Sequence, residues 1–464
     1  MPPLQTAQTL RNLGRDPPAP FSIELDDGRL LTVTHLLRTL PGKRLTGAAE
    51  LDGKPVLAKL FIAQRGSGRH WERERHGIEA LVEHNIPTPQ LLSAGKLRNG
   101  GHYVLTEFLD GALSLAEIHD ANARLGLAFS TLGRMHACGL VQEDAHLGNF
   151  LLGRDTLYVI DGDAILATSS NLEVLKNLAL LLAQLPPVWE ASVRNVLLAD
   201  YRVGNPAVEL DAPQLAVEIA SARKLRLADY LKKCLRDCSL FKVDKRPDRF
   251  IAMVRDEVEL LTPLVADPDH WLDSGITLKQ GRTATLAMVE LGGRKLVIKR
   301  YNIKNPGHAL SRCWRPSRAW HSWVEGHRLS FLGIATPRPL AMIEQRLGPL
   351  RRQAWVIVEY CAGESLDAHF SRFVETGPPA AELQAIRELF RKLADAQVSH
   401  GDLKATNLLR DGSLLTLIDL DAMRQHASTE SYLRAWRKDR ARFLQNWPEG
   451  SALRCELETA LPAA

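Results

Sequence analysis

The chain has 464 residues, of which 45% are hydrophobic and 24% are charged, and its formal net charge at pH 7 is +5. This length exceeds what one hydrophobic core comfortably serves, so we expect two domains, or three. The longest apolar run, at residues 178–185, is far shorter than a membrane span, and the N-terminus lacks the apolar core of a secretory signal. Six cysteines without framework spacing favour reduced thiols and a cytoplasmic location.

The first predicted elements are strands. Residues 22–62 alternate apolar and polar positions, with turn sequences DDG and DG, which is typical of antiparallel strands. A helix follows, on which Glu74, Ile78 and Leu81 share one face because their spacings are four and three. The segment NIPTPQLL, the strand YVLTEFLDG and a long amphipathic helix come next.

The same order of elements recurs in the second half of the chain. Strands are predicted within residues 284–301, then a helix carrying Glu325, then GIATPRPL, the strand WVIVEYCAG and another amphipathic helix. Between the two copies, residues 171–265 are predicted to be mostly helical. Few residues follow the last predicted strand, so the second copy is expected to have a short helical lobe.

Two polar segments make the repetition specific. The first copy reads QEDAHLGNFLL and then LYVIDGDAI, and the second reads HGDLKATNLL and then LTLIDLDAM. A constant offset of 258 relates Asp144, Asn149 and Asp161 to Asp402, Asn407 and Asp419. Lys59 and Lys299 match at a different offset, 240, so insertions fall between the lysine and the loop. We infer the duplication of one fold.

These residue types form the set that phosphate transfer from ATP requires: a cation for the phosphates, oxygens for Mg²⁺ and a carboxylate beside the acceptor hydroxyl. In the second copy, the predicted catalytic residues are His400, Asp402 and Lys404, and the predicted Mg²⁺ ligands are Asn407 and Asp419. The predicted ATP-binding residues of this copy are Lys299, its expected ion-pair partner Glu325, Gly281 and Glu359.

The first copy supplies a matching set with two changes in its loop. Its predicted catalytic residues are Asp144 and His146, and its predicted metal ligands are Asn149 and Asp161. Its predicted ATP-binding residues are Lys59, its partner Glu74, Gly47 and Glu107. Gln142 replaces the histidine that braces the loop of the second copy, and His146 replaces Lys404. A non-catalytic structural partner is therefore the alternative for this copy.

With these motifs in view, the sequence resembles the lipopolysaccharide core kinases, the Kdo/WaaP family, most strongly over residues 278–424. The resemblance implies a protein-kinase-like fold, ATP and Mg²⁺ as cofactors, and a sugar hydroxyl of heptose or Kdo in the inner core as acceptor. It also implies a Gram-negative cell and work at the cytoplasmic face of the inner membrane. The D-x-H-x-x-N pattern of the first copy is similar to aminoglycoside and choline kinases, where histidine commonly occupies that position.

We therefore predict an α+β protein with an N-terminal extension (1–20) and two tandem kinase-like domains (21–265 and 266–464). Each domain should have a small antiparallel-sheet N-lobe and a mostly helical C-lobe. The alternatives are an atypical Ser/Thr protein kinase and a tandem pseudokinase that scaffolds envelope enzymes. No APE-like segment follows either strand aspartate, and basic stretches at 223–236 and 294–318 suit a phosphorylated glycolipid. No nucleic-acid partner is expected.

Overall fold

The structure, a computed structural model, describes residues 2–117, 122–302, 314–412 and 414–461. It divides into two compact units, Met1–Lys224 and Leu225–Ala464, called unit 1 and unit 2 below. Each unit contains a seven-stranded sheet and a group of helices, so the predicted α+β class is confirmed. Within the described ranges, no helix is both long enough and apolar enough to cross a membrane.

The sheet of unit 1 has the order β1-β2-β3-β4-β5-β7-β6. Its strands are β1 (Leu4–Gln5), β2 (Phe21–Glu24), β3 (Leu30–Leu40), β4 (Arg44–Leu51), β5 (Lys54–Phe61), β6 (Leu91–Lys96) and β7 (His102–Glu107). β1 pairs in parallel with β2, and helix α1 (Ala7–Asn12) buries Ala7 and Leu10 in the core of this sheet. The predicted N-terminal extension is thus corrected: these residues add a strand and core side chains to unit 1.

The helices of unit 1 are α2 (Ser67–Glu83), α3 (Asn122–Ala137), α4 (Asn171–Leu182), α5 (Pro187–Gly204) and α6 (Ala212–Lys233), the last of which crosses the boundary between the units. Short strands join them: β8 (Leu113–Ser114), β9 (Leu140–Gln142), β10 (Phe150–Leu152), β11 (Leu157–Val159) and β12 (Ile165–Ala167). The apolar face of α3 is fully buried, as expected for an amphipathic helix. Antiparallel pairing of β10 with β11 brings Asn149 and Asp161, which flank this hairpin, to the same end.

The sheet of unit 2 has the order β13-β14-β18-β19-β17-β16-β15. Its strands are β13 (Phe241–Lys245), β14 (Arg249–Val254), β15 (Ile276–Gln280), β16 (Ala284–Leu291), β17 (Arg294–Tyr301), β18 (Pro339–Leu347) and β19 (Leu350–Glu359). Strands β15 to β19 follow the same spatial order as β3 to β7. The two additional strands lie beside β3 in unit 1 and beside β18 in unit 2, at opposite edges of this shared arrangement.

Residues 171–265 are mostly helical, as predicted, but they also contain the hairpin β13–β14. The boundary between the units lies at Lys224–Leu225 instead of after residue 265. β14 pairs with β18 over five residue pairs, and its side chains alternate between the two faces of the sheet. Ile251 and Met253 join the core on one face, whereas Phe250 and Ala252 join the core on the other. The hairpin is therefore an integral part of unit 2.

Helices α7 (Val258–Ala266) and α8 (Pro268–Ser274) cover one face of this sheet, and α9 (Arg318–Phe331) packs on the other. The helical part of unit 2 comprises α10 (Leu366–Phe370), α11 (Ala380–Asp395), α12 (Thr429–Leu444) and α13 (Ala452–Ala460). Short strands connect them: β20 (Glu364–Ser365), β21 (Val398–Ser399), β22 (Leu408–Asp411), β23 (Leu414–Leu417) and β24 (Arg424–Gln425). As in unit 1, a hairpin (β22–β23) is flanked by the predicted metal-binding asparagine and aspartate.

Candidate active sites

A cavity of about 450 Å³ lies in unit 2, lined by residues of the sheet, of α9 and of the segments that flank the β22–β23 hairpin. Apolar side chains form much of its wall: Leu286, Val297, Val356, Val358, Leu409 and Ile418. Four predicted site residues line the same cavity, namely Lys299, Glu359, Asn407 and Asp419. The cavity therefore offers an apolar surface for a ring and charged groups for an anionic tail.

Asp419 is held in an unusual backbone conformation two residues after the end of β23. Its φ of 63° and ψ of 56° lie in the left-handed region, which costs a non-glycine residue about 1–3 kcal/mol and is concentrated at functional sites. Lys299 on β17 donates a hydrogen bond to the Asp419 carboxylate. Burial opposes both charges, but the ion pair outweighs it, so that the pKa of Lys299 is raised and the pKa of Asp419 is lowered.

The loop around Asp402 is fixed by buried hydrogen bonds. His400 donates from Nε2 to the Ile418 carbonyl at 3.0 Å, which ties the loop to the residue before Asp419. The backbone N–H groups of His400 and Gly401 donate to the Asp439 carboxylate, at 2.6 and 2.9 Å. The position of His400 thus agrees with the bracing role predicted for it.

Asp439 on α12 was missed in the sequence analysis. Burial raises the pKa of its carboxyl group, although its two backbone hydrogen bonds act in the opposite direction. A signal was present in the sequence. Tyr432, Trp436, Asp439 and Phe443 follow helical spacing on one buried face, and a charged residue on such a face indicates a specific partner.

Asp402 itself is accessible, with 41% of its side chain exposed. Lys404 Nζ lies 2.6 Å from Asp402 Oδ2, and Asn407 Nδ2 donates to the Asp402 carbonyl at 2.9 Å. Because the amide nitrogen of Asn407 is engaged in this bond, its oxygen is the end left to accept or to bind a cation. The loop therefore presents a carboxylate, a cation and an amide oxygen close together.

The donor set suits Mg²⁺ bound together with phosphates. No cluster of three or more His, Cys, Asp or Glu side chains that could hold a metal occurs within the described residues. Asn407 and Asp419 supply two oxygen donors beside the cavity. Mg²⁺ usually keeps several waters and binds through one or two carboxylates plus substrate phosphates, so a site with few protein ligands fits it.

In unit 1, Lys59 on β5 occupies the position equivalent to that of Lys299. Its Nζ lies 2.5 Å from Glu74 Oε1 and 3.2 Å from Asp161 Oδ1, so the predicted Lys59–Glu74 ion pair is present. Burial opposes the charge, but the two carboxylates raise the pKa of Lys59. Burial likewise opposes the charge of Asp161, whose pKa is nevertheless lowered by Lys59 and Arg44. Asp161 also has left-handed backbone angles, φ 72° and ψ 66°.

Unit 2 lacks the corresponding pair, which corrects the prediction for Lys299 and Glu325. Glu325 is buried on α9 and accepts instead from Arg328 Nε at 2.7 Å and from its Nη2 at 3.3 Å. Lys299 takes Asp419 as its partner. The lysine–glutamate pair is therefore formed in the copy that the sequence analysis treated as the weaker one.

Two glycines explain how the pair forms in unit 1. Gly77 on α2 lies directly against Gly162: a Cβ atom at Gly77 would lie 2.0 Å from the Gly162 carbonyl oxygen. This close approach lets Glu74 reach Lys59 and also accept from the backbone N–H groups of Gly162 and Asp163, at 3.3 and 3.1 Å. The glycines thus act by permitting contact between helix and loop.

The equivalent positions of unit 2 carry large side chains. Arg328 lies three residues after Glu325, as Gly77 does after Glu74, and Leu420 is aligned with Gly162. With these side chains unit 2 lacks the glycine–glycine contact, and the Arg328 guanidinium binds Glu325 itself. Steric bulk and a competing cation together account for the missing pair.

The loop of unit 1 keeps its brace despite the change from histidine to glutamine. Gln142 Nε2 donates to the Ile160 carbonyl at 2.8 Å, the bond that His400 makes 258 positions further along the chain. Asn177 on α4 accepts from the Gln142 backbone N–H at 3.3 Å, as Asp439 does from His400. Asn149 Nδ2 donates to the Asp144 carbonyl at 3.0 Å. The brace predicted to be altered is thus chemically different but geometrically conserved between the copies.

Behind this loop lies a buried histidine that the sequence analysis did not single out. His136 contacts the side-chain oxygen of Asn177 through Nε2 at 3.0 Å, and its Nδ1 contacts the Tyr201 hydroxyl at 2.7 Å. Burial lowers the pKa of His136 to about 4, so that the ring is neutral at pH 7. In front of the loop, Asp144 is 84% exposed, and His146 Nε2 lies 3.9 Å from its Oδ2.

The two glycines predicted to approach phosphate are placed differently. Gly281 lies in the turn between β15 and β16. Gly47 lies within β4, where a Cβ atom would be 2.3 Å from the His35 carbonyl oxygen, so close strand packing explains this glycine. Residues 41–43 form the β3–β4 turn that corresponds to 281–283, so Gly47 lies outside this turn.

The acidic residues at the ends of β7 and β19, Glu107 and Glu359, differ in their surroundings. Glu359 lines the cavity, and its carboxylate lies 2.5 Å from Arg294 and 3.5 Å from Arg338. Glu107 is exposed at the end of β7, and its backbone N–H donates to the Gln90 carbonyl. A role for either residue in binding ATP stays a prediction.

Part of the basic stretch at 294–318 is consumed by ion pairs. Arg294 binds Glu257 as well as Glu359, and Arg318 binds Asp421. Lys304 and Arg312 lie outside the described residues. Arg294 and Arg318 therefore form ion pairs within unit 2.

Comparison with known proteins supports a kinase in unit 2. Residues 265–443 match the family model described as "Lipopolysaccharide kinase (Kdo/WaaP) family", so the resemblance noted in the sequence is confirmed for this part of the chain. The chain is a kinase, and the match indicates lipopolysaccharide sugars as its class of acceptor. Use of ATP, usually with a divalent metal, follows from kinase membership.

Among solved structures, the chain is similar to one titled "WaaP in complex with acyl carrier protein" (20% identity, 42% of this chain, 79% of that chain, TM-score 0.33). It is also similar to vaccinia related kinase 3 (10% identity, 48% and 95%, TM-score 0.31). A third is WbdD with the kinase inhibitor LY294002 (16% identity, 46% and 48%, TM-score 0.29). At these TM-scores, nothing about the substrate follows. No curated protein matches the chain.

Proposed function

We propose that this protein is an ATP-dependent kinase that phosphorylates a heptose or Kdo hydroxyl of the lipopolysaccharide inner core, with catalysis centred on Asp402. The observation that carries the proposal is the convergence of Lys299, Asn407 and Asp419 on one cavity, within the segment that matches the family model. The acceptor is borne by a membrane, so the protein would act at the cytoplasmic face of the inner membrane.

The residues of unit 2 divide the work as follows. The apolar wall would hold the base of ATP, and Lys299 would contact its phosphates once these replace Asp419 as its partner. Asn407 and Asp419 would hold Mg²⁺, which neutralises charge on the transferred phosphoryl group when bound. Glu325 is paired with Arg328, so the carboxylate that pairs with Lys299 in this structure is that of Asp419.

Asp402 would orient the acceptor hydroxyl and accept its proton as the oxygen attacks the γ-phosphorus. The bond from phosphorus to the β–γ bridging oxygen breaks, ADP leaves, and the proton passes from Asp402 to solvent. Lys404 lies close enough to Asp402 to contact the γ-phosphate during transfer. His400 and Asp439 keep the loop in place.

Unit 1 would be a second phosphotransfer site, centred on Asp144. Its support is geometric: the Lys59–Glu74–Asp161 cluster is assembled, and Gln142 and Asn149 make the hydrogen bonds that their counterparts make in unit 2. With Asn149 and Asp161 as metal ligands and His146 beside Asp144, the minimum set for transfer is complete. A structural partner without activity is the alternative.

Purified full-length protein with ATP and Mg²⁺ tests the proposal when offered either core glycolipid or a set of protein substrates. We expect phosphate on the glycolipid, and none when Asp402 is replaced by asparagine in a chain that also carries Asp144→Asn. Phosphate on protein alone would favour the atypical protein kinase. Absence of ATP·Mg²⁺ binding in a thermal-shift titration would favour the pseudokinase scaffold, since a ligand at a hundredfold its Kd stabilises by about 2.7 kcal/mol.

A further inference from the structure

Arg442 on helix α12 lies beside Asp402, the residue proposed to receive the acceptor hydroxyl. Its Nε is 3.5 Å from Asp402 Oδ1, while Lys404 is 2.6 Å from Oδ2, so each carboxylate oxygen faces a cation. Asp439, three residues earlier on the same helix, fixes α12 to the loop through its two short hydrogen bonds. The hydrogen bonds of Asp439 therefore hold the backbone of Arg442 near Asp402. The weak Arg442–Asp402 ion pair is not needed for this.

The Arg442–Asp402 pair is of a kind that a ligand can readily exchange. The distance is long, 47% of the Arg442 side chain is exposed, and such partly solvated pairs contribute about 0–1 kcal/mol. A phosphate or carboxylate offers the guanidinium two parallel hydrogen bonds, which are stronger. If Asp402 receives the acceptor hydroxyl, a group on an adjacent carbon of the acceptor lies within reach of Arg442.

Unit 1 provides an internal comparison at the same place. Asn177 corresponds to Asp439, because each contacts the backbone N–H at the start of its loop. Three residues further along α4 is Leu180, which packs against the apolar core, where unit 2 has Arg442. The residue beside Asp144 is His146 instead of a lysine. At these two positions the Asp402 site carries Lys404 and Arg442, where the Asp144 site has His146 and Leu180.

We propose that Arg442 is an acceptor-specificity residue, which binds a phosphate or carboxylate group next to the hydroxyl that unit 2 phosphorylates. This rests on the proposed function and sharpens it: the Asp402 site selects an acceptor sugar with an anionic neighbouring group. The Asp144 site, with leucine and histidine at these positions, has no such requirement. Lys438, one turn earlier and exposed on α12, is the matched cation that should not take part.

The test uses the full chain carrying Asp144→Asn, so that only unit 2 transfers phosphate. Three acceptors are compared: intact core glycolipid, the same glycolipid dephosphorylated with hydrogen fluoride, and the glycolipid with its carboxyl groups reduced to alcohols. For intact glycolipid, Arg442→Gln should raise the acceptor KM about 10- to 100-fold, with kcat and the KM for ATP changed little. Arg442→Lys should restore part of the loss, and Lys438→Gln should have little effect.

One treated glycolipid should reproduce the high KM in the parent chain and show no further rise with Arg442→Gln, which identifies phosphate or carboxylate as the partner of Arg442. An unchanged KM in Arg442→Gln, an equal effect of Lys438→Gln, or a fall in kcat alone would overturn the inference while leaving the proposed function intact. If the parent chain phosphorylates none of the three acceptors, the proposed function itself fails, and this inference fails with it.

Discussion

Replacing Gly77 by alanine should disrupt unit 1, because the added methyl group would clash with backbone atoms. A flexible side chain could move aside, but the backbone cannot move without shifting the whole segment. The new Cβ would lie 2.0, 2.7 and 2.9 Å from the O, C and Cα atoms of Gly162, and real Cβ contacts essentially never fall below 3.0 Å. Helix α2 or the Gly162 segment must therefore shift by about 1 Å. That shift moves Glu74, whose contact with Lys59 measures 2.5 Å.

The expected cost is that of overpacking, about 1–3 kcal/mol in the free energy of unfolding, even though alanine is otherwise the better helix former by about 0.5–1 kcal/mol. For a unit of this size, this corresponds to a lower Tm by about 2–4 °C for each kcal/mol. Differential scanning calorimetry of the full chain measures the shift. Phosphate transfer by unit 1, assayed in a chain carrying Asp402→Asn, should fall as well.

Gly68→Ala is the matched control, since it lies on the same helix and its added Cβ would meet only the His102 ring at 3.4 Å, an ordinary contact. It should leave the stability unchanged or raise it. If Gly77→Ala proves as stable as Gly68→Ala and unit 1 keeps its activity, the two-glycine explanation for the Lys59–Glu74 pair is wrong.

Three further predictions follow from single groups. Asp439→Ala should cost about 1–3 kcal/mol for each of the two backbone N–H groups, of His400 and Gly401, that lose their acceptor, and Asp439→Asn should cost less; urea denaturation measures both. The folded-state pKa of His136, about 4, lies below its ordinary 6.5. Its stabilising contribution is therefore complete above pH 6.5 and lost as pH falls toward 4, by up to about 3 kcal/mol, and His136→Gln should remove this slope. Chelation with EDTA should abolish phosphate transfer and added Mg²⁺ should restore it, whereas Asp419→Asn should lower kcat by about 100-fold or more with Mg²⁺ present; full activity in EDTA would contradict the assigned metal ligands.

The sequence was sufficient for the features that repeat. The constant offset of 258 located both hairpins and both flanking asparagine–aspartate pairs, because catalytic spacing is set locally by a loop and a two-stranded turn. Alternation of apolar residues located β4, β5, β16 and β17, because it is also a local pattern. The α+β class and the prediction of a kinase in unit 2 followed from those residues.

What the sequence did not reveal depends on contacts between distant segments. The hairpin at 241–254 is short and mixed in composition, and only its pairing with β18 makes it part of a sheet. The partner of Lys299 could not be known from Glu325 alone, since Arg328 binds Glu325 and Lys299 binds Asp419 instead. The close strand packing at Gly47 could not be predicted, because the approach of the His35 carbonyl leaves no local pattern.

Phosphate is proposed to reach the lipopolysaccharide core through Asp402, with a second site at Asp144. Asp144→Asn and Asp402→Asn should be made separately, and the phosphorylated core should be examined by mass spectrometry. We predict that each substitution removes a distinct phosphate while circular dichroism stays unchanged. Loss with Asp402→Asn alone would make unit 1 a structural partner, and an unchanged phosphorylation pattern with both variants would contradict the assignment of the active site.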